Sequence, residues 1–405
     1  MTAIAPARPL PFVRRVMVRD YRSVADCDVS LGPLTVLVGF NASGKSNFLD
    51  ALRFVTDALE VSPAHAVSER GGLDALLRRR PDGGADSFGI RLDVALAAER
   101  DGGAAVAATY GVEIGRDPDG DLPLLVIREE CRIELPGGPV VLSATAGRRR
   151  TSRLYLPVEA IQDDRYAAVD TALRAMRFYE LDSAVLRALD EETTRRSELG
   201  SAGEHLGHVL GALQRDDRVG KERLDAYLSA LVPNAVGVDE RLEGRYSTVE
   251  ARFRVGVADG IEVFAREALS EGTLRAAGVL AALFQPPAFD GRISLIGIEE
   301  PETALHPATV GALYEALDDA ALRTQVIVTS QSSDLLDSEY VRLGHIRAVA
   351  NLDGVTHVGE VDAASHAIVA KKIMTVGELH RSGRMMPVQA DRPAGRRADV
   401  RRERG

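Results

Sequence analysis

The segment from residue 34 to residue 59 constrains this chain most, because it orders a strand, a glycine loop and a helix. Residues 34–38 read LTVLV, a short apolar run typical of a buried parallel strand. Residues 39–46 follow as GFNASGKS, a complete G-x-x-x-x-G-K-S loop. Apolar residues then recur with helical spacing from Phe48 to Leu59. This order predicts a loop whose backbone N–H groups, together with the helix N-terminus, bind phosphate.

The lysine of this loop, Lys45, is one of only four lysines among the 50 lysine and arginine residues of the chain. A compact ammonium group reaches between β- and γ-phosphates, whereas a guanidinium fork fits such a loop poorly. We therefore predict a nucleotide site in which Lys45 binds phosphate and the Ser46 hydroxyl ligates Mg²⁺. The alternative is a glycine-rich turn that binds nothing. The predicted nucleotide-contacting residues of the loop are Gly39, Asn41, Ala42, Ser43, Gly44, Lys45, Ser46 and Asn47.

Composition is that of an ordinary globular protein. The 405 residues are 45% hydrophobic and 27% charged, which is enough for two or three domains. No run of 18 apolar residues and no hydrophobic signal region after Met1 is present, so we expect a cytoplasmic location and no membrane partner. Cys27 and Cys131 are far apart and outside any C-x-x-C pair. They predict neither a disulfide framework nor a zinc site, but two buried small apolar residues.

Charge argues against a uniformly basic surface, because the formal net charge is −10. Three arginine clusters stand out against this background, at residues 78–80, at residues 148–150 with Arg153, and at residues 392–404. Solvated loops and a disordered end explain such clusters without any partner. Binding to a phosphate backbone is the alternative.

Strand-like and helical patterns alternate in blocks along the chain. Early strands are predicted at 13–18 and 34–39, and an antiparallel meander is predicted at 88–94, 105–114, 124–135 and 140–143. A helical period runs from about Ala168 through Phe178 and recurs at 185–189, 205–213 and 223–231, before strand-like alternation at 235–257. The predicted domains are the N-terminal part of a head at 1–160, a mostly helical insert at 161–262, the C-terminal part of the head at 263–385, and a disordered basic tail at 386–405.

A second apolar strand, at residues 293–298, ends in two consecutive carboxylates, Glu299 and Glu300. An apolar strand that delivers acids at its C-terminal end predicts a metal and hydrolysis site. Glu299 is expected to hold Mg²⁺ directly or through water, and Glu300 is expected to polarise the attacking water. The alternative is an acidic loop after a buried strand.

Two further segments bear on the same chemistry. Residues 269–275 read LSEGTLR before a long apolar helix, so that Ser270 is a plausible N-cap. A buried strand at 325–329 leads into Gln331, whose amide can hydrogen-bond a phosphate but carries no charge. Alone, these segments predict only a capped helix and a polar turn.

Taken in order, the motifs resemble one family. They are GFNASGKSN at 39–47, LSEGTLR at 269–275, GIEEPE at 297–302 followed by ALHP, and VIVTSQS at 326–332, with VRDYRS at 18–23 and ERGG at 69–72. The set is similar to the RecF/SMC-like branch of the ABC-type ATPases, specifically the stand-alone bacterial AAA-type 21 ATPases, over residues 13–385. The resemblance implies an α/β fold of the P-loop NTPase type, an ABC-ATPase-like head with an antiparallel β subdomain and an inserted, mostly helical lobe.

The resemblance also implies a mechanism. In such ATPases a serine and a glycine at the positions of Ser270 and Gly272 bind the γ-phosphate of ATP held by the opposite subunit, so a homodimer that encloses ATP and Mg²⁺ is expected. Gln331 stands where a switch histidine is common, which implies a catalytic contact with slower turnover. His306 replaces the aspartate of transport-type relatives and is expected to be structural or to contact the dimer partner.

The sequence features are compatible with two biological roles. The family resemblance and the arginine clusters favour an ATPase of DNA repair or maintenance, with DNA as partner. The net acidic charge and Gln331 favour an ATP-dependent sensor or regulatory subunit of a defence-type system, with a protein effector as partner.

Overall fold

The computed structural model describes residues 12–79, 83–96, 105–145, 151–191, 196–256, 260–338 and 340–388. Its strands are β1 (Phe12–Tyr21), β2 (Val24–Ser30), β3 (Leu34–Val38), β4 (Ser87–Leu96), β5 (Val106–Gly115), β6 (Leu125–Ile133), β7 (Val140–Thr145), β8 (Met176–Tyr179), β9 (Asp190–Glu191), β10 (Ala235–Glu243), β11 (Tyr246–Val255), β12 (Gly260–Ala265), β13 (Leu295–Glu299), β14 (Gln325–Ser330), β15 (Ile346–Leu352) and β16 (Val355–Glu360).

The α-helices of the same residues vary from single turns to four turns. They are α1 (Lys45–Glu60), α2 (Pro63–Ser68), α3 (Leu73–Leu76), α4 (Leu156–Glu159), α5 (Asp164–Arg174), α6 (Ser183–Leu186), α7 (Leu206–Asp216), α8 (Arg218–Leu231), α9 (Glu271–Phe284), α10 (Pro286–Phe289), α11 (Val310–Ala320), α12 (Ser333–Leu336), α13 (Ala363–Ala370) and α14 (Val376–Arg381). Short 3₁₀ turns cover Arg266–Ala268, Pro307–Thr309 and Leu343–His345.

Twelve of the described strands form one mixed sheet, in the order β7-β6-β5-β4-β1-β2-β16-β15-β3-β14-β13-β8. Neighbours from β7 to β2 are antiparallel, which confirms the predicted meander. The neighbours β15, β3, β14, β13 and β8 run parallel to one another. The C-terminal ends of parallel strands meet at one edge of a sheet, where ligands of open α/β sheets bind. The phosphate loop and both predicted catalytic segments begin at this edge.

The parallel strands are buried on both faces. In β3, Leu34 and Val36 pack into one hydrophobic core, and Leu37 packs into the other. Phe48 of α1 belongs to the second core, whereas Leu280 of α9 belongs to the first. Burial on both faces explains why β3 reads as a continuous apolar run rather than an alternating one.

A lobe between β8 and α9 combines two helices with a small sheet. Helices α7 and α8 pack on β10. Strand β10 pairs with β11, and β11 also pairs with β12 and with β9. Lys221 of α8 is nearly buried and bridges Asp225 at 2.6 Å and Asp239 at 3.0 Å. Arg252 of β11 contacts the same two carboxylates. This network fixes α8 to the strands, and β10 and β11 confirm the strand pattern predicted at 235–257.

The helical pattern predicted through Phe178 is wrong at its end, because Met176–Tyr179 is a strand. It pairs in parallel with β13, with Met176 opposite Leu295 and Tyr179 opposite Ile298. A short bulky run such as MRFY carries too little periodicity to separate a strand from a helix end, so tertiary pairing decides. The insert predicted to start at residue 161 therefore includes a strand of the main sheet. The strands β2, β9, β12, β15 and β16 were not predicted.

Several sequence features fall outside the described part of the chain. They are Arg80, the arginines at 148–150 and the basic tail from residue 389 onward. Arg78, in contrast, lies within the described part of the chain. Its guanidinium Nη1 is 4.0 Å from Asp20 Oδ1. In the described part of the chain, no helix is both apolar enough and long enough to span a bilayer.

Both cysteines are buried free thiols, as predicted. Burial raises the pKa of Cys27 and of Cys131 to about 12. At pH 8 only about one thiol in 10,000 is then a thiolate, the reactive form. We expect the native protein to resist alkylation by iodoacetamide at pH 8, and both thiols to react once it is unfolded in guanidinium. Intact mass spectrometry over time measures both rates, and rapid native labelling at either site contradicts the expectation.

Candidate functional site

The phosphate loop is shaped by strands from the far end of the chain. Gly44 has φ of 101°, and a Cβ there would lie 2.0 Å from Thr356 Oγ1. The Thr356 hydroxyl donates to the Ser43 carbonyl at 2.9 Å. A Cβ on Gly39 would lie 2.2 Å from the Val349 carbonyl oxygen. The two fixed glycines of the motif are thus required by β15 and β16, which hold the loop closed against the sheet.

Lys45 is buried within this loop. Its ammonium group donates to the carbonyl oxygens of Gly39 at 2.8 Å and Phe40 at 3.1 Å. Burial lowers the pKa of Lys45, and the carboxylates of Glu300, Glu302 and Glu299 oppose that shift. The neutral carbonyl oxygens are weak acceptors for this cation. Phosphate oxygens can take their place and form stronger, charge-assisted hydrogen bonds with the ammonium group.

Ser46 and Glu299 meet as the sequence predicts for a metal site. The Ser46 hydroxyl donates to Glu299 Oε2 at 2.5 Å, across 253 residues of sequence. Burial raises the pKa of Glu299, the Ser46 bond opposes this, and the charge of Glu180 beyond β8 adds to the rise. A hydroxyl and a carboxylate are the hard oxygen donors that suit Mg²⁺. No cluster of three or more metal-ligating side chains occurs in the described ranges. These two donors therefore fit Mg²⁺ with phosphate oxygens as further ligands.

The two consecutive acids diverge because their backbones differ. Glu299 is the last residue of β13, whereas Glu300 has φ of 42° and donates its backbone N–H to the Thr329 carbonyl at 3.1 Å. The Gln331 amide donates to Glu300 Oε2 at 3.1 Å. The predicted catalytic pair, Glu300 and Gln331, is thus brought into hydrogen-bond contact, whereas Glu299 bonds the Ser46 hydroxyl.

Glu302 is a residue that sequence reasoning did not single out. It is 8% exposed, and its Oε1 accepts from the Ser330 hydroxyl at 2.6 Å and from the Gln331 backbone N–H at 3.3 Å. Its Oε2 is buried without a hydrogen-bond partner, and burial raises the pKa of the carboxyl. Glu302 fixes the segment that carries Gln331. The third acid of the GIEEPE motif was the available signal, but its partners could not be read from the sequence.

The remaining loop residues differ in exposure. Asn41 and Ala42 are exposed, and Ala42 has φ of 61°. The Asn47 side-chain amide donates to Ser23 Oγ at 2.6 Å, and Ser23 Oγ lies 2.7 Å from Thr356 Oγ1. A polar chain therefore joins the start of α1 to the β1–β2 turn and to β16.

The predicted signature residues lie at the start of α9. Ser270 is exposed and caps α9, because its hydroxyl accepts from the Thr273 backbone N–H at 3.1 Å. A Cβ on Gly272 would lie 2.5 Å from the Ala304 carbonyl oxygen. His306 caps the following 3₁₀ turn by accepting from the Ala308 N–H. Within the described ranges, the side-chain hydrogen bonds of Ser270 go to Thr273 of α9, and its nucleotide contact remains a prediction.

A polar pocket of roughly 510 Å³ opens beside Ser46 and Glu299. Arg70 crosses its wall, donating to Asp50 and to Asp57 at 2.8 Å each. These bonds anchor the ERGG segment to α1. The pocket walls carry both charges, so the opening beside the metal position is polar without being strongly acidic or basic.

The loop encloses a lysine at the end of the central parallel strand β3, and two carboxylates follow at the end of β13, which β14 separates from β3. Together these features define a P-loop ATPase fold. A sequence profile of the family described as "AAA domain, putative AbiEii toxin, Type IV TA system" matches residues 34–337. The chain belongs to this family of AAA ATPases, which confirms the RecF/SMC-like resemblance. Family membership implies use of a nucleotide.

Solved structures agree on the fold. The head of Smc bound to the C-terminal winged-helix domain of ScpA superposes with a TM-score of 0.55 at 14% identity, covering 88% of this chain and 99% of that one. The Pyrococcus furiosus Smc head with an extended coiled coil, bound to the C-terminal domain of ScpA, gives 0.53 at 13% identity, covering 90% and 100%. At these identities the likeness establishes the fold alone.

Proposed function

We propose that this protein is an Mg²⁺-dependent ATPase that forms a homodimer around two ATP molecules. The hydrogen bond between Ser46 and Glu299 carries the proposal, because it joins the phosphate loop to the acid-bearing strand at 2.5 Å. A phosphate loop with unrelated acids elsewhere would bind a nucleotide without any means of hydrolysing it.

The residues of one chain supply most of the chemistry. Lys45 transfers its hydrogen bonds from loop carbonyls to the β- and γ-phosphates, and Ser46 and Glu299 hold Mg²⁺. When bound, Mg²⁺ neutralises charge that develops on the phosphates. Glu300 orients the attacking water and accepts its proton, and Gln331 holds Glu300 in place.

The homodimer completes the site. Ser270 and Gly272 lie at the N-terminus of α9, a helix of 14 residues whose first-turn N–H groups favour an anion. The exposure of Ser270 leaves this end open to the nucleotide on a second copy. We propose that ATP binding closes the dimer and that hydrolysis opens it.

For the role of the dimer, we propose DNA repair or maintenance in the cytoplasm. The family resemblance and the Smc-head fold support this role. The arginine clusters also support it, because they stand out in a chain whose net charge is −10. The steady-state ATPase rate is expected to rise severalfold with linear duplex DNA at low salt, and the stimulation is expected to fade between 50 and 200 mM salt. Absence of stimulation at low salt contradicts a DNA role and leaves the ATPase proposal intact.

The second candidate is an ATP-dependent regulatory subunit that controls a protein effector. The family description, which names a toxin–antitoxin system, favours it, as does Gln331, which lacks the charge of a switch histidine. Affinity purification from the native host with and without nuclease separates the two roles. A stoichiometric protein partner that survives nuclease treatment supports the effector role, and association lost on nuclease treatment supports the DNA role.

A further inference from the structure

His380 of α14 packs directly on the phosphate loop, although it lies 335 residues after Lys45 in the sequence. Its ring stacks on Phe40, the second residue of the loop, with ring centroids 5.0 Å apart and an interplanar angle of 23°. His380 is 3% exposed, whereas Phe40 is 55% exposed. The imidazole therefore forms a buried support beneath an aromatic residue of the loop.

The same ring contacts the segment that carries Gln331. Nδ1 of His380 and the Ser333 hydroxyl are hydrogen-bonded at 2.9 Å. Helix α14 is tied to this segment a second time, since the Thr375 hydroxyl donates to Asp337 at 2.7 Å. His380 thus joins the phosphate loop to the residues that follow β14.

The other ring nitrogen has no hydrogen-bond partner. Nε2 of His380 is buried and unpaired. Burial lowers the pKa of His380, and the nearby charges of Lys45 and Arg381 add to the shift, so the ring is neutral at pH 7. When the Ser333 hydroxyl donates to Nδ1, the ring proton resides on Nε2, which is then a donor without an acceptor. Such a buried, unsatisfied donor is costly in this state, so a state of the protein that supplies an acceptor is favoured by comparison.

The phosphate loop changes its own hydrogen bonds when Lys45 binds phosphate. In this structure the Phe40 carbonyl oxygen accepts from Lys45 at 3.1 Å. The same oxygen also accepts from the Ser43 backbone N–H at 3.1 Å. Transfer of the ammonium group to a nucleotide therefore leaves that bond in place and frees the second lone pair of the carbonyl oxygen for another donor. His380 stacks on the side chain of the same residue and carries a buried ring nitrogen without a partner.

We propose that His380 is a positioning residue of the ATP-bound state, in which its Nε2–H replaces Lys45 as the donor to the Phe40 carbonyl. The bond holds the loop in its phosphate-binding shape and links that shape to the Gln331 segment through Ser333. This inference rests on the proposed ATPase function, and it assigns a role in nucleotide affinity to a residue outside all the sequence motifs.

Two substitutions separate this role from simple packing. His380→Phe keeps a flat ring against Phe40 and removes both nitrogens, whereas His380→Gln removes the ring and keeps an amide donor. If His380 positions the loop, His380→Phe raises KM for ATP by roughly 5-fold with kcat within about 2-fold, and His380→Gln stays closer to wild type in KM. If His380 only packs, the order reverses, because glutamine loses the stack.

Steady-state kinetics and thermal unfolding are measured for the wild type, both variants and His366→Phe, a matched change of an exposed histidine on α13. A KM order that follows the order of unfolding temperatures overturns the inference. So does an unchanged KM in His380→Phe. Wild-type protein that neither binds nor hydrolyses ATP overturns the proposed function itself, whereas normal wild-type kinetics with indifferent His380 variants overturns only the role of His380.

Discussion

Replacing Lys45 with alanine is expected to weaken ATP binding by roughly 100-fold or more, because charge-assisted bonds to phosphate contribute about 1.5–3 kcal/mol each. The buried ammonium group of Lys45 already lies inside the loop, bonded to the Gly39 and Phe40 carbonyl oxygens. Isothermal titration calorimetry with ATP and Mg²⁺ measures the loss.

Two further variants serve as comparisons in this experiment, Lys45→Arg and Lys371→Ala. Arginine keeps the charge, but its planar fork is expected to fit the loop poorly, so Lys45→Arg should also bind ATP weakly. Lys371 is exposed after α13, and Lys371→Ala should bind ATP like the wild type. Unchanged ATP affinity in a folded Lys45→Ala protein would remove the basis of the proposed function.

The sequence alone predicts those structural features that lie within one continuous segment of the chain. The strand, loop and helix from Leu34 to Glu60 follow from local period and spacing, and so does the strand that delivers Glu299 and Glu300. The apolar residues that form these local patterns are the ones that pack into the two hydrophobic cores. The meeting of Ser46 with Glu299 was predictable from two such elements because parallel strands end at one edge.

The structural features that the sequence did not predict depend on contacts between segments far apart in the chain. Thr356 bonds the Ser43 carbonyl across 313 residues, and nothing in the residues around Thr356 signals this. His380 lies on a helix of six residues that carries none of the sequence motifs. Met176–Tyr179 is a strand because β13 offers an open edge, not because of its own pattern. Local propensity is overridden at such sites by pairing that forms only in the folded chain.

Glu300→Gln is expected to slow ATP hydrolysis by about 10²–10⁴-fold and to leave ATP binding intact, because an amide cannot accept the proton of the attacking water. The amide oxygen can still accept from Gln331, which bonds the carboxylate at 3.1 Å in this structure, so the local geometry is retained. Glu315→Gln, on an exposed position of α11, removes the same charge elsewhere and should hydrolyse ATP normally.

Slow hydrolysis should trap the closed dimer. Gel filtration of Glu300→Gln with ATP and Mg²⁺ is expected to show a dimer, and without ATP a monomer, because the closed state ends only when the γ-phosphate is cleaved. Adding Lys45→Ala to the same chain should abolish the dimer, which ties closure to bound nucleotide and not to the lost charge. A monomer with and without ATP for Glu300→Gln contradicts the shared site, since Ser270 and Gly272 then have no nucleotide on a second copy to bind.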